Sequence, residues 1–374
     1  MSQNTLPETQ SLFPPARRVK VLLPLPLAGG YDYGVPDGMS LDFGDFVEVP
    51  LGGRRIIGIV WDDPPDPDGV PESKLRQIEA VLPVPPLPDA SRRFVERIAA
   101  YTLAPPGSVL RMAMSSPKSL EPPPVHTVYT AADPVPNTLR LTGARRRVMQ
   151  VAQNSPALSA SDLAREAGVT PGVIRGLADA GGLLPLRLPD RENFDIPDPD
   201  KKGPDLSPDQ AKAADALCQA VKADTFSVTL LDGITGSGKT EVYFEAIATA
   251  LAADQTVLVL LPEIALSAQW LERFQDRFGV RPAEWHSDLS PGTRRRTWRA
   301  VAEDRVRIMV GARSALHLPF RDLGLIVVDE EHDGSFKQEE GVIYHARDMA
   351  VLRAQIFECP IVLASATPSL ETLA

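Results

Sequence analysis

Eight consecutive residues, Gly233-Ile234-Thr235-Gly236-Ser237-Gly238-Lys239-Thr240, fit the pattern G-x-x-x-x-G-K-[ST] in full. They follow an apolar run of strand length, Phe226 to Leu231, and a helix is expected to open at Glu241. In that setting the glycines let backbone amides curl around phosphate oxygens, and the helix N-terminus adds a favourable dipole. Lys239 would then reach the β- and γ-phosphates of ATP, and Thr240 would ligate Mg2+.

A second signal is Leu325-Ile326-Val327-Val328-Asp329-Glu330-Glu331-His332, which puts acids at the carboxyl end of an apolar strand. Asp329 can hold magnesium through water while Glu330 orients and deprotonates an attacking water. Ser365-Ala366-Thr367 follows the next apolar run, Ile361 to Leu363, where small hydroxyl side chains can sense the acidic cluster. Upstream, Gln210 in Leu206-Ser207-Pro208-Asp209-Gln210 has two readings. Its amide presents the donor and acceptor that match an adenine edge, or it is a first-turn residue behind an N-cap.

These residues need a scaffold that aligns strand ends. From Leu206 onward, Phe226–Leu231, Thr256–Leu261, Val306–Val310, Leu323–Val328 and Ile361–Leu363 are short apolar runs with helical segments between most of them. That alternation predicts an α/β lobe with a parallel sheet covered on both faces. Ahead of it, Val19–Leu23, Phe43–Val49 and Arg55–Trp61 read as strands of a small β-rich domain. Asp89 is expected to cap a helix that runs to Tyr101 and packs through Phe94, Val95, Ile98 and Tyr101. Residues 139–188 carry seven arginines (140, 145, 146, 147, 165, 175 and 187) against Asp162, Glu166 and Asp179, a local charge of +4. Within them Ser161 to Leu177 reads helix, glycine-containing turn, helix, and Leu183–Leu188 could supply a wing. Such a pair either meets DNA or serves only packing and protein docking.

The 374 residues suit two or three domains, and their net charge of −10 excludes a uniformly basic nucleic-acid coat but not a local basic surface. Thirty-seven prolines, clustered near residues 83–88, 122–136 and 197–208, mark the seams. Two cysteines, Cys218 and Cys359, exclude a disulfide framework or a thiolate zinc site within these residues. No basic start with an apolar run and no long apolar window is present, so the expectation is a cytoplasmic protein with no membrane partner.

Gly233–Thr240, Leu261-Pro262-Glu263-Ile264-Ala265-Leu266, His286-Ser287, Gly311–Leu316, Asp329–Asp333, Tyr344-His345-Ala346-Arg347-Asp348 and Ser365–Ser369 together resemble the first motor lobe of superfamily 2 helicases. More narrowly, with Lys337-Gln338-Glu339-Glu340-Gly341 after the acids, they resemble the PriA family of replication-restart helicases. The resemblance implies a multidomain protein: a β-rich 3′-end DNA-binding domain over 1–120, a winged helix over 137–190, a linker over 191–204 and a RecA-like helicase lobe over 205–374. It implies that Tyr31-Asp32-Tyr33 shapes a pocket for a 3′ end, although the triplet alone reads as packing.

Arg313 falls in one of the shared motifs and is expected at DNA. Phe336, Lys337, Tyr344 and Arg347 interleave rings with cations, which suits stacking on single-strand bases, or else they form a solvated loop with packed aromatics. The implied function is ATP-dependent 3′ to 5′ unwinding of stalled forks for primosome assembly and helicase reloading. Branched fork DNA, single-stranded DNA, single-stranded DNA-binding protein and other primosome proteins are the implied partners. A second motor lobe and zinc-binding cysteines are expected beyond Ala374, leaving the ATPase site here incomplete. A non-catalytic DNA-structure binding module and a translocase of another superfamily 2 branch are the rival readings.

Overall fold

The computed structural model describes residues 17–64, 70–114, 117–136, 139–189, 194–262 and 268–373. The N-terminal residues 1–16, residues 191–193 of the expected linker, and Glu263 to Leu266 of the shared motif lie outside the described residues. The chain forms two compact units, Met1–Glu121 with Asn193–Ala374, and Pro122–Glu192.

In the first unit β1 (Arg18–Leu22), β2 (Tyr31–Gly34), β3 (Phe46–Leu51), β4 (Arg54–Trp61) and β5 (Ala80–Val81) make an antiparallel sheet ordered β2-β1-β4-β3-β5. The β3–β4 hairpin closes through Gly52 and Gly53, and Gly52 takes a φ of +61°, open to glycine at little cost. Next come α1 (Asp89–Thr102), α2 (Pro106–Met114) and α3 (Pro117–Leu120). The cap of α1 is Pro88, not Asp89 as expected; the Asp89 carboxylate sits in the first turn and pairs with Arg92 at 3.3 Å. Phe94, Val95 and Ile98 are buried as expected, but Tyr101 turns to solvent at the end of the helix.

The second unit holds β6 (Val125–Ala131), α4 (Gly143–Asn154), β7 (Leu158–Ser159), α5 (Ala160–Ala167), α6 (Pro171–Asp179) and β8 (Leu183–Pro189). Ser159 caps α5, Gly168 ends it at φ +61°, and Pro171 opens α6, so the helix, turn, helix reading follows from local chemistry. The strand after it pairs antiparallel with β6, which sequence reasoning missed. Val148, Leu163, Ile174, Leu177 and Leu183 form the core of this unit.

The rest of the first unit is α/β. Its elements are α7 (Pro208–Ala223), β9 (Ser227–Asp232), α8 (Lys239–Ala252), β10 (Val257–Leu260), α9 (Ala268–Phe278), β11 (Ala283–Trp285), α10 (Pro291–Ala302), β12 (Ile308–Gly311) and β13 (Leu325–Asp329). A short hairpin of β14 (Lys337–Gln338) and β15 (Tyr344–His345) precedes α11 (Ala346–Phe357), β16 (Pro360–Ser365) and α12 (Leu370–Leu373). Six strands lie parallel in the order β11-β12-β10-β13-β16-β9. Leu258, Leu260, Ile326 and Val328 enter one core; Val257, Val259, Leu325 and Val327 enter the other. The inner strands β10, β12, β13 and β16 are buried on both faces, which is why they read as unbroken apolar runs, whereas edge strand β9 is partly exposed.

One of those cores continues into the N-terminal sheet and α1. Trp298 is fully buried, its ring 5.9 Å from Phe46 and its indole N–H donating to the Ala113 carbonyl at 3.0 Å. Arg353 of α11 is also fully buried, stacked 4.7 Å from Phe94 and donating to the carbonyls of Leu316 and Leu318. Burial holds its pKa down to about 9, and burial beside this cation holds His317 down to about 3. Ring faces and carbonyls are what make a dehydrated guanidinium tolerable there. No helix among the described residues is long and apolar enough to cross a membrane.

Candidate functional site

The parallel register places the carboxyl ends of β9, β16 and β13 side by side, with Ser365 opposite Asp232 and Asp329 opposite Ala364. The glycine-rich loop, Ser365-Ala366-Thr367 and the acidic cluster therefore converge, though the latter two begin 126 and 90 positions after Lys239. Strand carboxyl ends in an open α/β sheet form the crevice in which ligands settle.

Gly236 and Gly238 take φ values of +78° and +81°, and α8 opens at Lys239, two residues earlier than expected. The Lys239 ammonium is buried and donates to the Gly233 carbonyl at 2.8 Å and the Ile234 carbonyl at 3.5 Å. It thus carries a charge toward neutral acceptors inside a loop that a phosphate would complete. Gln210 acts in a capping box with Ser207 and also donates to the Ser237 carbonyl at 2.7 Å. A side chain at Gly238 would displace the Gln210 amide, and the φ of +81° there is one that favours glycine.

Asp329 ends β13 with each carboxylate oxygen holding one hydrogen bond. Tyr243 donates to Oδ2 at 2.8 Å, and the Glu330 amide donates to Oδ1 at 3.0 Å. Burial raises the Asp329 pKa, against the pull of the Tyr243 hydrogen bond. The Tyr243 hydroxyl is pushed well above its usual range by complete burial and then by the Asp329 charge, so it stays a donor. Glu330 adopts a left-handed φ of +51°, a conformation costing about 1 to 3 kcal/mol that concentrates where backbone geometry serves a site. His332 reaches both sides, with Nδ1 3.7 Å from the Glu330 carboxylate and 2.7 Å from Ser365 Oγ. The Ser365 hydroxyl in turn accepts from the Thr367 amide at 3.1 Å.

These features fit a nucleotide phosphate chain with magnesium: a cationic donor within a glycine cradle, a half-buried oriented carboxylate, and a second acid at the strand end. A cavity of about 420 Å³ adjoins α8, lined by Gly203, Pro204, Leu206, Phe244, Glu241 and Arg273 among others. Arg277, which also lines it, pairs with Glu245 at 3.1 Å and donates to the Lys201 carbonyl.

The expected DNA residues divide. Tyr31 is 44% exposed, whereas Tyr33 is buried with its hydroxyl donating to the Pro50 carbonyl, and Asp32 pairs with Arg18 at 3.6 Å. Arg313 donates to the carbonyls of Ser335 and Lys337 at 3.1 and 2.7 Å and so fixes the segment after the acids. Lys337 is exposed, 3.2 Å from Glu339. Three expectations are corrected: Phe336, Tyr344 and Arg347 are 1%, 4% and 7% exposed and present no face to a base or phosphate. The two rings belong to the core shared with the N-terminal sheet, where Tyr344 hydrogen-bonds His317 at 3.0 Å. Arg347 is spent on the buried Glu331.

Sequence reasoning missed Tyr243, Trp270, His317 and Arg353. For Tyr243 a signal existed: it lies three residues after Thr240, on the same face of α8. For Arg353 none did, because an arginine in a helix reads as solvent-facing.

Two family models match the chain: a 3′ DNA-binding domain over residues 20–115 and a DEAD/DEAH box helicase over residues 207–374. Replication restart protein PriA of Rickettsia felis is 32% identical over 358 residues, covering 96% of this chain and 44% of that protein. Replication restart protein PriA of Haemophilus influenzae is 36% identical, covering 95% of this chain and 50% of that protein. In Bacillus subtilis the protein of the same name is 46% identical over 169 residues, 45% of this chain and 21% of that protein. The chain thus spans about half the length of relatives that match it throughout.

Proposed function

We propose that this chain, which belongs to the family of PriA replication restart proteins through its 3′ DNA-binding and DEAD/DEAH helicase domains, recognises branched replication forks and serves ATP-driven unwinding from 3′ to 5′. The outcome would be a fork prepared for primosome assembly and reloading of the replicative helicase, in the cytoplasm. Single-stranded DNA-binding protein and other primosome proteins are the partners this role requires.

One observation carries the reading. Phosphate loop, acidic cluster and Ser365–Thr367 converge at one sheet edge, in the same compact unit as the antiparallel sheet bearing Tyr31 and Asp32. Lys239 and the amides of Gly233 to Thr240 hold the ATP phosphates, while Thr240 and Asp329 hold Mg2+. Bound magnesium would offset charge on the β- and γ-phosphates. Glu330 orients the attacking water and accepts its proton, and His332 with Ser365 keeps that carboxylate in register with the neighbouring strand. The cavity beside Leu206 and Phe244 takes the base, with Gln210 supporting both the loop and an adenine edge. Asp32 and Tyr31 meet the 3′ end, and the Pro122–Glu192 unit acts as a winged helix on duplex phosphates.

The test pairs nucleotide with DNA. Lys239→Ala is expected to abolish Mg2+-dependent binding of a fluorescent ATP analogue while leaving affinity for a fork with a 3′-OH leading end within about twofold, since the amine touches no DNA. Equal loss of both, or parental chain that binds plain duplex as well as the fork, overturns the reading.

A further inference from the structure

The phenol of Tyr243 lies under the phosphate loop with no access to solvent. It donates to Asp329 Oδ2 at 2.8 Å and accepts from the indole N–H of Trp270 at 2.8 Å. Trp270 sits in the first turn of α9, its ring stacked at 5.5 Å on Phe274 and edge-on at 5.7 Å to Phe244. A continuous hydrogen-bond chain therefore runs from α9 through α8 to the last residue of β13.

A carboxylate at a strand end with one oxygen held by the adjacent amide can still rotate the other. The Tyr243 hydroxyl removes that freedom, and its own orientation is set because its single proton goes to Asp329 while Trp270 supplies a donor to its lone pair. We propose that Tyr243 is a positioning residue of the metal site: it aims Asp329 at magnesium, and Trp270 holds Tyr243 in the orientation that does so. Displacement of α9 along its axis would break the chain at its first link, so the position of α9 is reported at Asp329. This rests on the nucleotide and magnesium reading of the site.

The test uses the full chain and measures binding of a fluorescent ADP analogue as Mg2+ is titrated, with thermal unfolding alongside. Tyr243→Phe keeps the ring and removes only the donor. It is expected to bind nucleotide without Mg2+ as the parent does, but to need roughly tenfold more Mg2+ for half of the metal-dependent gain, the size of one hydrogen bond to a charged group. Trp270→Phe, which leaves Tyr243 in place, is expected to raise the Mg2+ requirement by a smaller factor, and it serves as the second measurement should Tyr243→Phe fail to fold. An unchanged Mg2+ requirement in a folded variant, with only its melting temperature lowered, makes the chain packing alone and overturns the proposal. Absence of Mg2+-dependent binding in the parent overturns the nucleotide reading itself, and Tyr243's role falls with it.

Discussion

The Arg347 guanidinium meets the fully buried Glu331 carboxylate at 3.1 Å, in a pocket that Ser369 and Thr372 complete from the start of α12. Of three consecutive chemical groups at the end of β13, Asp329 and Glu330 face the phosphate loop and the solvent crevice, and Glu331 faces inward. The pair ties the residue following the acidic pair to α11 and to the segment after Ser365-Ala366-Thr367.

Removing one partner strands the other. Arg347→Met should destabilise the chain by about 3 to 5 kcal/mol in urea unfolding, and Glu331→Leu with Arg347→Met should cost clearly less than the sum of the single changes. Burial opposes ionisation of Glu331, but bonds from the Ser369 amide, Thr372 and Arg347 outweigh it and hold its pKa below the usual range. Its contribution is therefore full at neutral pH and fades as pH falls below that range. Reduced DNA affinity at parental stability would return Arg347 to the DNA face.

Glu330→Gln should leave Mg2+-nucleotide affinity near parental and stop hydrolysis in any preparation where the parent hydrolyses, since an amide can orient water but accept no proton. Asp329→Ala should instead weaken binding only when Mg2+ is present. Nucleotide affinities that respond alike to the two substitutions would dissolve the division of roles.

His317 gives the fold an acid sensitivity of its own. It stays neutral until about pH 3 because it is buried beside Arg353, whereas an unfolded histidine takes up a proton near pH 6.5. The unfolded state thus binds more protons between those limits, and stability drops by about 1.4 kcal/mol for each pH unit below about 6.5. His317→Asn should flatten the urea-midpoint profile between pH 7 and pH 5; a slope equal to the parent's would assign the sensitivity elsewhere.

The three arginines of α4 should separate. Arg145 donates to the carbonyls of Arg140 and Gly176, and Arg147 to those of Ala167 and Gly168, so both hold loop and helix ends. Arg146 is exposed. Arg146→Ala is expected to lower the magnitude of the log-affinity against log-salt slope by about 0.7 to 0.9, while Arg145→Ala and Arg147→Ala act mainly on thermal stability. Three equal slope changes would show that the carbonyl contacts open on DNA.

What could be read from residue order was chemistry carried by short segments. Gly233 to Thr240 read as a phosphate cradle because glycine φ freedom, amides and lysine are local properties, and the parallel lobe followed from apolar runs of strand length. The turn between the two helices within Ser161 to Leu177 was legible for the same reason, through Gly168 and Pro171, whereas the cap at Ser159 was not named. What only the tertiary structure decided is which side of the backbone each long-range partner lies on. Phe336, Tyr344 and Arg347 looked like a DNA face because ring and cation types suit one, but a side chain's solvent access depends on what packs over it, here the core shared with a sheet some 300 residues earlier and a carboxylate turned inward. Tyr243 and Asp329 are 86 positions apart, and their contact exists only because β13 lies within the sheet beneath α8. Burial and register are properties of the assembled layers, and no window of sequence contains both sides of them.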